Sequence, residues 1–316
     1  MRVAVVDIGS NSTRLLVADV DPSARSVFER VRRSEVTRLG AGVDATGRLS
    51  PEAAERVYAA LSEYRREIDR QDVDANVAVM TSAVRDASNG AEFARSVRER
   101  FQLDAHILSG DEEAQLTFAG AMSARGASGE ETVVIDIGGG STEFVIGRGG
   151  EARFHTSLHA GVVRMSERHL HSDPPTPAEV EALAVDARDV FERGLPAEQR
   201  RGVTHGIAVA GTATSAASID QQLDPYDPEY VNGYWLALAT VERMRERLAA
   251  LEEAGRRRVV GLNPDRAPTI VAGMVLLAEA IRAFGLEGVE VSEHDILYGG
   301  ALALARGAIG VQEGLA

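Results

Sequence analysis

The sequence predicts an α/β fold made of two related halves. Two observations carry that expectation: a hairpin-like motif occurs twice, and short apolar β-rich runs alternate with amphipathic helical stretches. Residues 3–17 read VAVVDIGSNSTRLLV and residues 133–146 read VVIDIGGGSTEFVI. Asp7, Ile8, Gly9, Ser12 and Thr13 recur as Asp136, Ile137, Gly138, Ser141 and Thr142, each 129 residues further on, so the match has no internal gap. Each copy is an apolar run ending in Asp, a Gly/Ser-rich turn and a second β-rich run. Meanders that precede the helices in both halves argue against a plain Rossmann domain.

The elements follow in order. Residues 1–36 predict three strands in a meander, with a turn around Asp21–Arg25. A helix is expected from Pro51 to about Asp69, with Ser50 as N-cap and Pro51 in the first helical position. Val77–Met80 reads as a short buried strand and Thr81–Arg85 follows it directly. Residues 90–101 are expected to be helical and 105–108 a strand, and Ser109 opens a helix to about Ala124. A domain boundary is expected just before the polar, Gly-rich stretch Arg125–Glu131, with a hinge near 121–131. The first domain is thus expected over 1–124, completed by a C-terminal helix at about 300–316, and the second over 125–299. In the second half the repeated hairpin is followed by a strand at Glu151–Ser157 and helices at about 160–170 and 178–193. His205–Val209 reads as a strand ending in the turn Gly211-Thr212-Ala213-Thr214. Helices return at about 235–251, 265–283 and 295–309, with a strand at 289–291.

Composition narrows the chemistry. The length of 316 residues suits two domains of about 150 residues each. Asp plus Glu number 48 against 34 basic residues, a formal charge of −14, so no global field attracts nucleic acid or an anionic membrane. A polyanionic ligand needs a local cluster, working within a Debye length of about 8 Å. Every basic residue is Arg, which excludes Walker-type, kinase-type and Schiff-base lysines. Cys is absent, so thiolate nucleophiles and disulfides are excluded as well. The chain enters a strand at once, without a basic and apolar leader, and its longest apolar stretch is too short to span a bilayer. The expected location is the cytoplasm.

A strand that ends in a carboxylate and turns through small residues offers N–H groups and hydroxyls to a phosphate, while the carboxylate holds a cation or a water. Asp7 with Gly9, Ser10, Asn11 and Ser12 forms one such turn. Asp136 with Gly138, Gly139, Gly140, Ser141 and Thr142 forms the other. Facing each other, two such hairpins make a phosphate clamp. Arg85, four residues past the strand end at Thr81, is placed to grip phosphate oxygens or to pair with Asp86. Ser109 with Glu112 fits a capping box, which gives Glu112 a structural task. Glu113 lies about 100° further round the helix, either free for chemistry or a favourable charge at the helix dipole. Glu143 occupies the position of Arg14 in the first copy, which divides labour between a metal-binding acid and a base that meets an anion or a salt bridge. The histidines and the Arg256–Arg258 run read as packing or solvated positions, and Asn263-Pro264-Asp265 reads as a helix cap.

These motifs resemble the exopolyphosphatase/guanosine pentaphosphate phosphohydrolase family of the actin/Hsp70/sugar-kinase superfamily, in its short form without a C-terminal helical domain. The resemblance rests on DIGSNS (Asp7–Ser12), TSAVR (Thr81–Arg85), SGDEEA (Ser109–Ala114), DIGGGSTE (Asp136–Glu143), GTATSAA (Gly211–Ala217), YDPEYVNG (Tyr226–Gly233) and NPDRAPTIVAG (Asn263–Gly273). It implies two actin-like, ribonuclease H-like domains with the active site in the cleft between them. It casts Glu113 as the base that activates water and Arg85 as a phosphate ligand. Asp136 and Glu143 are then the holders of Mg²⁺ or Mn²⁺, and the two turns, with Gly211 and Thr212, cradle phosphates. The implied reaction is release of the terminal phosphate of inorganic polyphosphate, with guanosine pentaphosphate as the alternative substrate. An actin-like ATPase or kinase and a non-catalytic polyphosphate or alarmone sensor are the rivals from other classes. Neither nucleic acid nor membrane is an expected partner, and a homodimer is left open. The chain departs from the family where Gly-x-Arg-Glu/Asp-Gly is usual: it has His294-Asp295-Ile296-Leu297-Tyr298-Gly299-Gly300, which bears on substrate preference. Asn232 stands where relatives often have His.

Overall fold

Alternation with a period of two places the first strand between two helical layers. The computed structural model describes residues 1–21, 26–123, 129–149 and 151–309, the side chain of Asp44 excepted. In it β1 (Arg2–Ile8) pairs antiparallel with β2 (Thr13–Asp21), and β3 (Ser26–Glu35) continues the meander. β4 (Ala75–Met80) runs parallel to β1 and β5 (Ala105–Ile107) parallel to β4, giving the order β3-β2-β1-β4-β5. The helices are α1 (Val43–Thr46), α2 (Pro51–Gln71), α3 (Ser82–Asp86), α4 (Gly90–Phe101) and α5 (Gly110–Ala121). Ala4, Val6 and Ile8 face the core formed with α2 and α4, through Val57, Leu61, Phe93 and Val97. Val3 and Val5 face the opposite core, with Leu116 of α5 and Ile296, Leu297 and Ala301. Burial on both faces is why the strand reads as one apolar run.

The second sheet repeats this plan. β6 (Thr132–Ile137), β7 (Thr142–Arg148) and β8 (Glu151–Leu158) form the meander, followed by α6 (Val162–His169), α7 (Pro177–Gly194) and α8 (Ala197–Arg200). Then come β9 (His205–Val209), α9 (Ala210–Gln221), α10 (Pro228–Val231), β10 (Trp235–Ala237), α11 (Leu238–Ala249), α12 (Glu253–Arg256), α13 (Ile270–Ala283), β11 (Gly288–Val291) and α14 (Ile296–Ala305). The order is β10-β11-β9-β6-β7-β8, so β8, β7, β6, β9 and β11 take the places of β3, β2, β1, β4 and β5. β10 is an added antiparallel edge strand. The duplication read from the hairpins therefore extends to the sheets.

The chain divides into two compact units, residues 1–126 with 294–316, and residues 127–293. The sequence reading put the return to the first unit near 300. α14 belongs to the first unit from its cap onward because it packs on α5 and β1, with glycines at the contact. A Cβ on Gly120 would lie 1.8 Å from the Asp295 carbonyl oxygen, and one on Gly299 would lie 1.8 Å from that of Leu116. Residues 22–25 of the expected turn, the boundary at 124/125, residues 124–128 of the expected hinge and the end of the C-terminal helix lie outside the described residues.

Three local expectations change. Gly211–Thr214 is not a turn but the first turn of α9: Ala210, at φ 62°, makes the corner in one residue. Trp235–Ala237 is a strand because it pairs with β11, and the helix starts only at Leu238. Arg256 is buried, not solvated: it donates to the Ala267 and Leu251 carbonyls and to Asp173.

Candidate active site

Both hairpin turns close in the same way. Gly9 N–H donates to the Ser12 carbonyl at 3.0 Å, and Gly138 N–H to the Ser141 carbonyl at 2.9 Å. In each copy a later segment occupies the carbonyl side of the turn. The Arg38 N–H reaches the Asn11 carbonyl at 2.9 Å and the Gly40 N–H reaches that of Ser10 at 2.8 Å. In the second copy the N–H groups of Val162 and Val163 reach the Gly138 and Gly139 carbonyls, both at 2.9 Å. A turn whose carbonyls are held from one side presents its other edge, with N–H groups and hydroxyls, to a ligand. Thr142 Oγ1 donates to the Ala160 carbonyl at 2.6 Å, so its hydroxyl is already used as a brace.

The first unit gathers a further set of groups around its turn. Ser82, at the start of α3, lies 3.0 Å from Ser10, hydroxyl to hydroxyl. At the end of α3, Arg85 Nη1 donates to Glu113 Oε2 at 2.7 Å and to the Leu108 carbonyl at 3.1 Å. Asp86, the other partner foreseen for Arg85, stands 3.9 Å from its Nε. The capping box at α5 is present: Ser109 N–H and Oγ each donate to Glu112 at 2.8 Å, and Glu112 N–H returns to Ser109 Oγ at 3.3 Å. Those bonds hold the Glu112 carboxyl below its usual pKa. Glu113, only 7% exposed, is in the opposite condition. Burial pushes its carboxyl above the ordinary range; Arg85 opposes this, and the charges of Asp7 and Asp86 add to it.

Asp7 is also raised by burial and opposed by Arg14. Arg14 Nε and Nη2 donate to Asp7 Oδ2 at 2.9 and 2.7 Å, and its Nη1 donates to Asp295. Asp7 Oδ1 is buried and accepts no hydrogen bond from the described residues. Arg14 is thus directed at carboxylates, the ion-pair side of the two roles open to it in the sequence.

In the second unit Asp136 and Glu143 are direct partners across β6 and β7, the positions of Asp7 and Arg14 in the first copy. Two acids opposite each other on one face repel, whereas an acid and an arginine attract. Ser157 Oγ donates to Glu143 Oε1 at 2.7 Å and steers that carboxylate. A hard cation held by one or two carboxylates, with water and phosphate oxygens completing its shell, fits this donor pair. Among the described residues no group of three or more His, Cys, Asp or Glu side chains is placed to hold a metal by itself.

Gly211 and Thr212 lie at the N-terminus of α9. Thr212 Oγ1 points at the Ile137 carbonyl, 3.5 Å away, beside the second turn. The Arg266 guanidinium rests on Gly211 so closely that a Cβ there would lie 1.9 Å from Nη1. Arg266 was missed in the sequence, where Asn263–Asp265 read only as a cap; Asn263 does cap, accepting from the Asp265 N–H at 3.0 Å. A glycine opening a helix was the available signal for close approach of another group.

The profile of the Ppx/GppA phosphatase family matches residues 16–301. The chain belongs to that family. It is 36% identical over 315 residues to exopolyphosphatase 2 of Mycobacterium tuberculosis, covering 96% of this chain and 98% of that one. Among solved structures, an exopolyphosphatase-like protein superposes with a TM-score of 0.90 at 30% identity, covering 98% of this chain and all of the other. The Aquifex aeolicus Ppx/GppA protein superposes with a TM-score of 0.81 at 28% identity, covering 98% and 99% of the two chains. The two duplicated units are accordingly actin-like domains, and the protein is a phosphoanhydride hydrolase. Among the described residues no helix is long and apolar enough to cross a membrane.

Proposed function

We propose that this family member is an exopolyphosphatase, releasing orthophosphate from the end of inorganic polyphosphate with Glu113 as the general base. The observation that carries the assignment of the base is the contrast between two adjacent acids. Glu112 is consumed by the helix cap, whereas Glu113 is buried, pushed above the ordinary glutamate range by that burial, and held by Arg85 at 2.7 Å. A carboxylate poised nearer working pH takes a proton more effectively than an ordinary one.

In this reading Glu113 accepts the proton of a water whose oxygen attacks the terminal phosphorus. The bond from phosphorus to the bridging oxygen breaks, and the shortened chain leaves with that electron pair. Arg85 stabilises the phosphoryl oxygens while keeping Glu113 oriented, and the N–H groups at 10–12 and at 139–141, not those of Gly9 and Gly138 that close the turns, are the donors for phosphate oxygens. Asp136 and Glu143 are the residues to hold Mg²⁺ or Mn²⁺, which when bound supplies positive charge to phosphate oxygens. Arg266, at the amino end of α9 beside Gly211 and Thr212, adds a guanidinium suited to phosphate.

Phosphate release from polyphosphate, guanosine pentaphosphate and ATP, measured side by side with Mg²⁺, tests the reading. Polyphosphate should be cleaved fastest, with ATP slowest. Preference for guanosine pentaphosphate would move the assignment to the family's other activity, and preference for ATP would overturn it.

A further inference from the structure

The departure of this chain from the usual family pattern falls at the N-terminus of α14, and it places an acid, Asp295, in the first unit's charge network. Asp295 is 1% exposed. Its Oδ1 accepts the Leu297 N–H at 3.0 Å, capping the helix, and its Oδ2 accepts from Arg14 Nη1. Arg32 Nη2 adds a second positive charge 3.9 Å away. Burial opposes ionisation of Asp295, but Arg14, Arg32 and the Leu297 N–H outweigh it. The backbone at Asp295 is fixed independently, since Gly120 of α5 lies against its carbonyl. One anchor therefore ties together the helix that carries Glu113, the arginine opposite Asp7 and Asp7 itself.

Geometry gives this chain of contacts a direction. Arg14 spends Nε and Nη2 on one oxygen of Asp7 and Nη1 on Asp295, so a planar guanidinium is pinned at both ends. Pinning Oδ2 of Asp7 fixes where Oδ1, buried and without a hydrogen bond from the described residues, faces. In the second unit an acid, Glu143, stands in the place of Arg14.

We propose that Asp295 is a positioning residue for hydrolysis: acting through Arg14, it sets the direction of the Asp7 carboxylate beside the first phosphate turn and keeps Arg14 off the substrate. This rests on reading the first unit as part of the hydrolytic machinery. Loss of the second anchor lets Arg14 turn toward phosphate and lets Asp7 turn with it. Misplacement of about 1 Å in such a group costs up to about 100-fold in rate.

The test is Asp295→Asn, which keeps the shape and the helix cap but weakens the hold on Arg14. Steady-state kinetics are measured on polyphosphate for wild type, Asp295→Asn, Arg14→Met and the double variant, with thermal melting of each. The expected result is kcat lower by about 10- to 100-fold with KM unchanged or reduced, a melting temperature near wild type, and no further loss when Asp295→Asn is added to Arg14→Met. Wild-type kcat in Asp295→Asn, a raised KM with kcat held, or losses that multiply in the double variant would overturn the proposal. If Asp295→Asn does not fold, Asp295→Glu, which moves the charge by one methylene, decides in the same way: the kcat loss supports the link and wild-type turnover removes it. Failure of the functional reading is distinguishable, because it shows in the wild type as an absence of phosphate release.

Discussion

Arg85 Nη1 donates to Glu113 Oε2 at 2.7 Å across 28 residues of chain, joining the end of α3 to the first turn of α5. The pair links the two side chains read from the sequence as catalytic, and it makes the ionisation of Glu113 depend on the charge of Arg85. Glu113 must be deprotonated to accept a proton, and burial raises its pKa while Arg85 lowers it. With Glu113 as the proposed base, activity should be lost as pH falls through a value above the ordinary range for glutamate. Arg85→Gln takes away the opposing charge, so the acid limb of kcat/KM should move to higher pH, beside an overall loss of rate. A limb that stays in place would separate Arg85 from Glu113 in function.

Glu143 faces Asp136 directly across the second hairpin. Glu143→Gln should leave the fold intact and raise the Mg²⁺ concentration needed for half-maximal activity by about tenfold or more, as loss of a carboxylate ligand does. Titration of activity with Mg²⁺ checks this. Unchanged metal dependence would leave Glu143 as a structural partner of Ser157.

Much of this was legible in the sequence because it is local. The repeated turns, the Ser50 cap and the Ser109–Glu112 box are each specified within a few residues, and the structure contains all three. The double burial of β1 could be read from its unbroken apolar run. What escaped the reading depends on distant chain. Ser82 meets Ser10 across 72 residues and Asp295 meets Arg14 across 281. Arg256 looked like part of a solvated basic run until the carbonyls of Leu251 and Ala267 closed around it. β10 has only three residues and exists because β11 pairs with it, which no local propensity could reveal.

Gly161 supports the second hairpin turn by having no side chain. A Cβ there would lie 2.4 Å from the carbonyl carbon of Gly139 and 2.5 Å from that of Gly140. Because both are backbone atoms, Gly161→Ala must push the turn away. A stability loss of about 1–3 kcal/mol, read by urea denaturation, and a raised KM for polyphosphate are expected. Wild-type values for both would show that the turn adapts without cost.

His294 stacks on Tyr298 at 3.9 Å between centroids and meets Ser123 Oγ at 3.1 Å. Burial first, then the Arg32 charge, depress its pKa to about 4. The unfolded chain, with an ordinary histidine, takes up a proton near pH 6.5 while the folded protein does not until about pH 4. Stability is therefore lost as pH falls through this window, by about 3 kcal/mol at most. His294→Phe keeps a ring over Tyr298 and should show a smaller loss between pH 7 and pH 4 than wild type. Equal losses in chemical denaturation at the two pH values would assign the acid sensitivity elsewhere.

The division of work between Glu112 and Glu113 is the centre of this account, and comparing the turnover of Glu113→Gln with that of Glu112→Gln tests it most directly. Glu113→Gln keeps size and hydrogen bonding but cannot take the proton, so kcat on polyphosphate should fall by about 10²–10⁴ while affinity holds or improves. Glu112→Gln should retain most of the wild-type kcat, because glutamine also completes a capping box. Equal losses in the two variants, or a larger loss in Glu112→Gln, would contradict the assignment of Glu113 as the base.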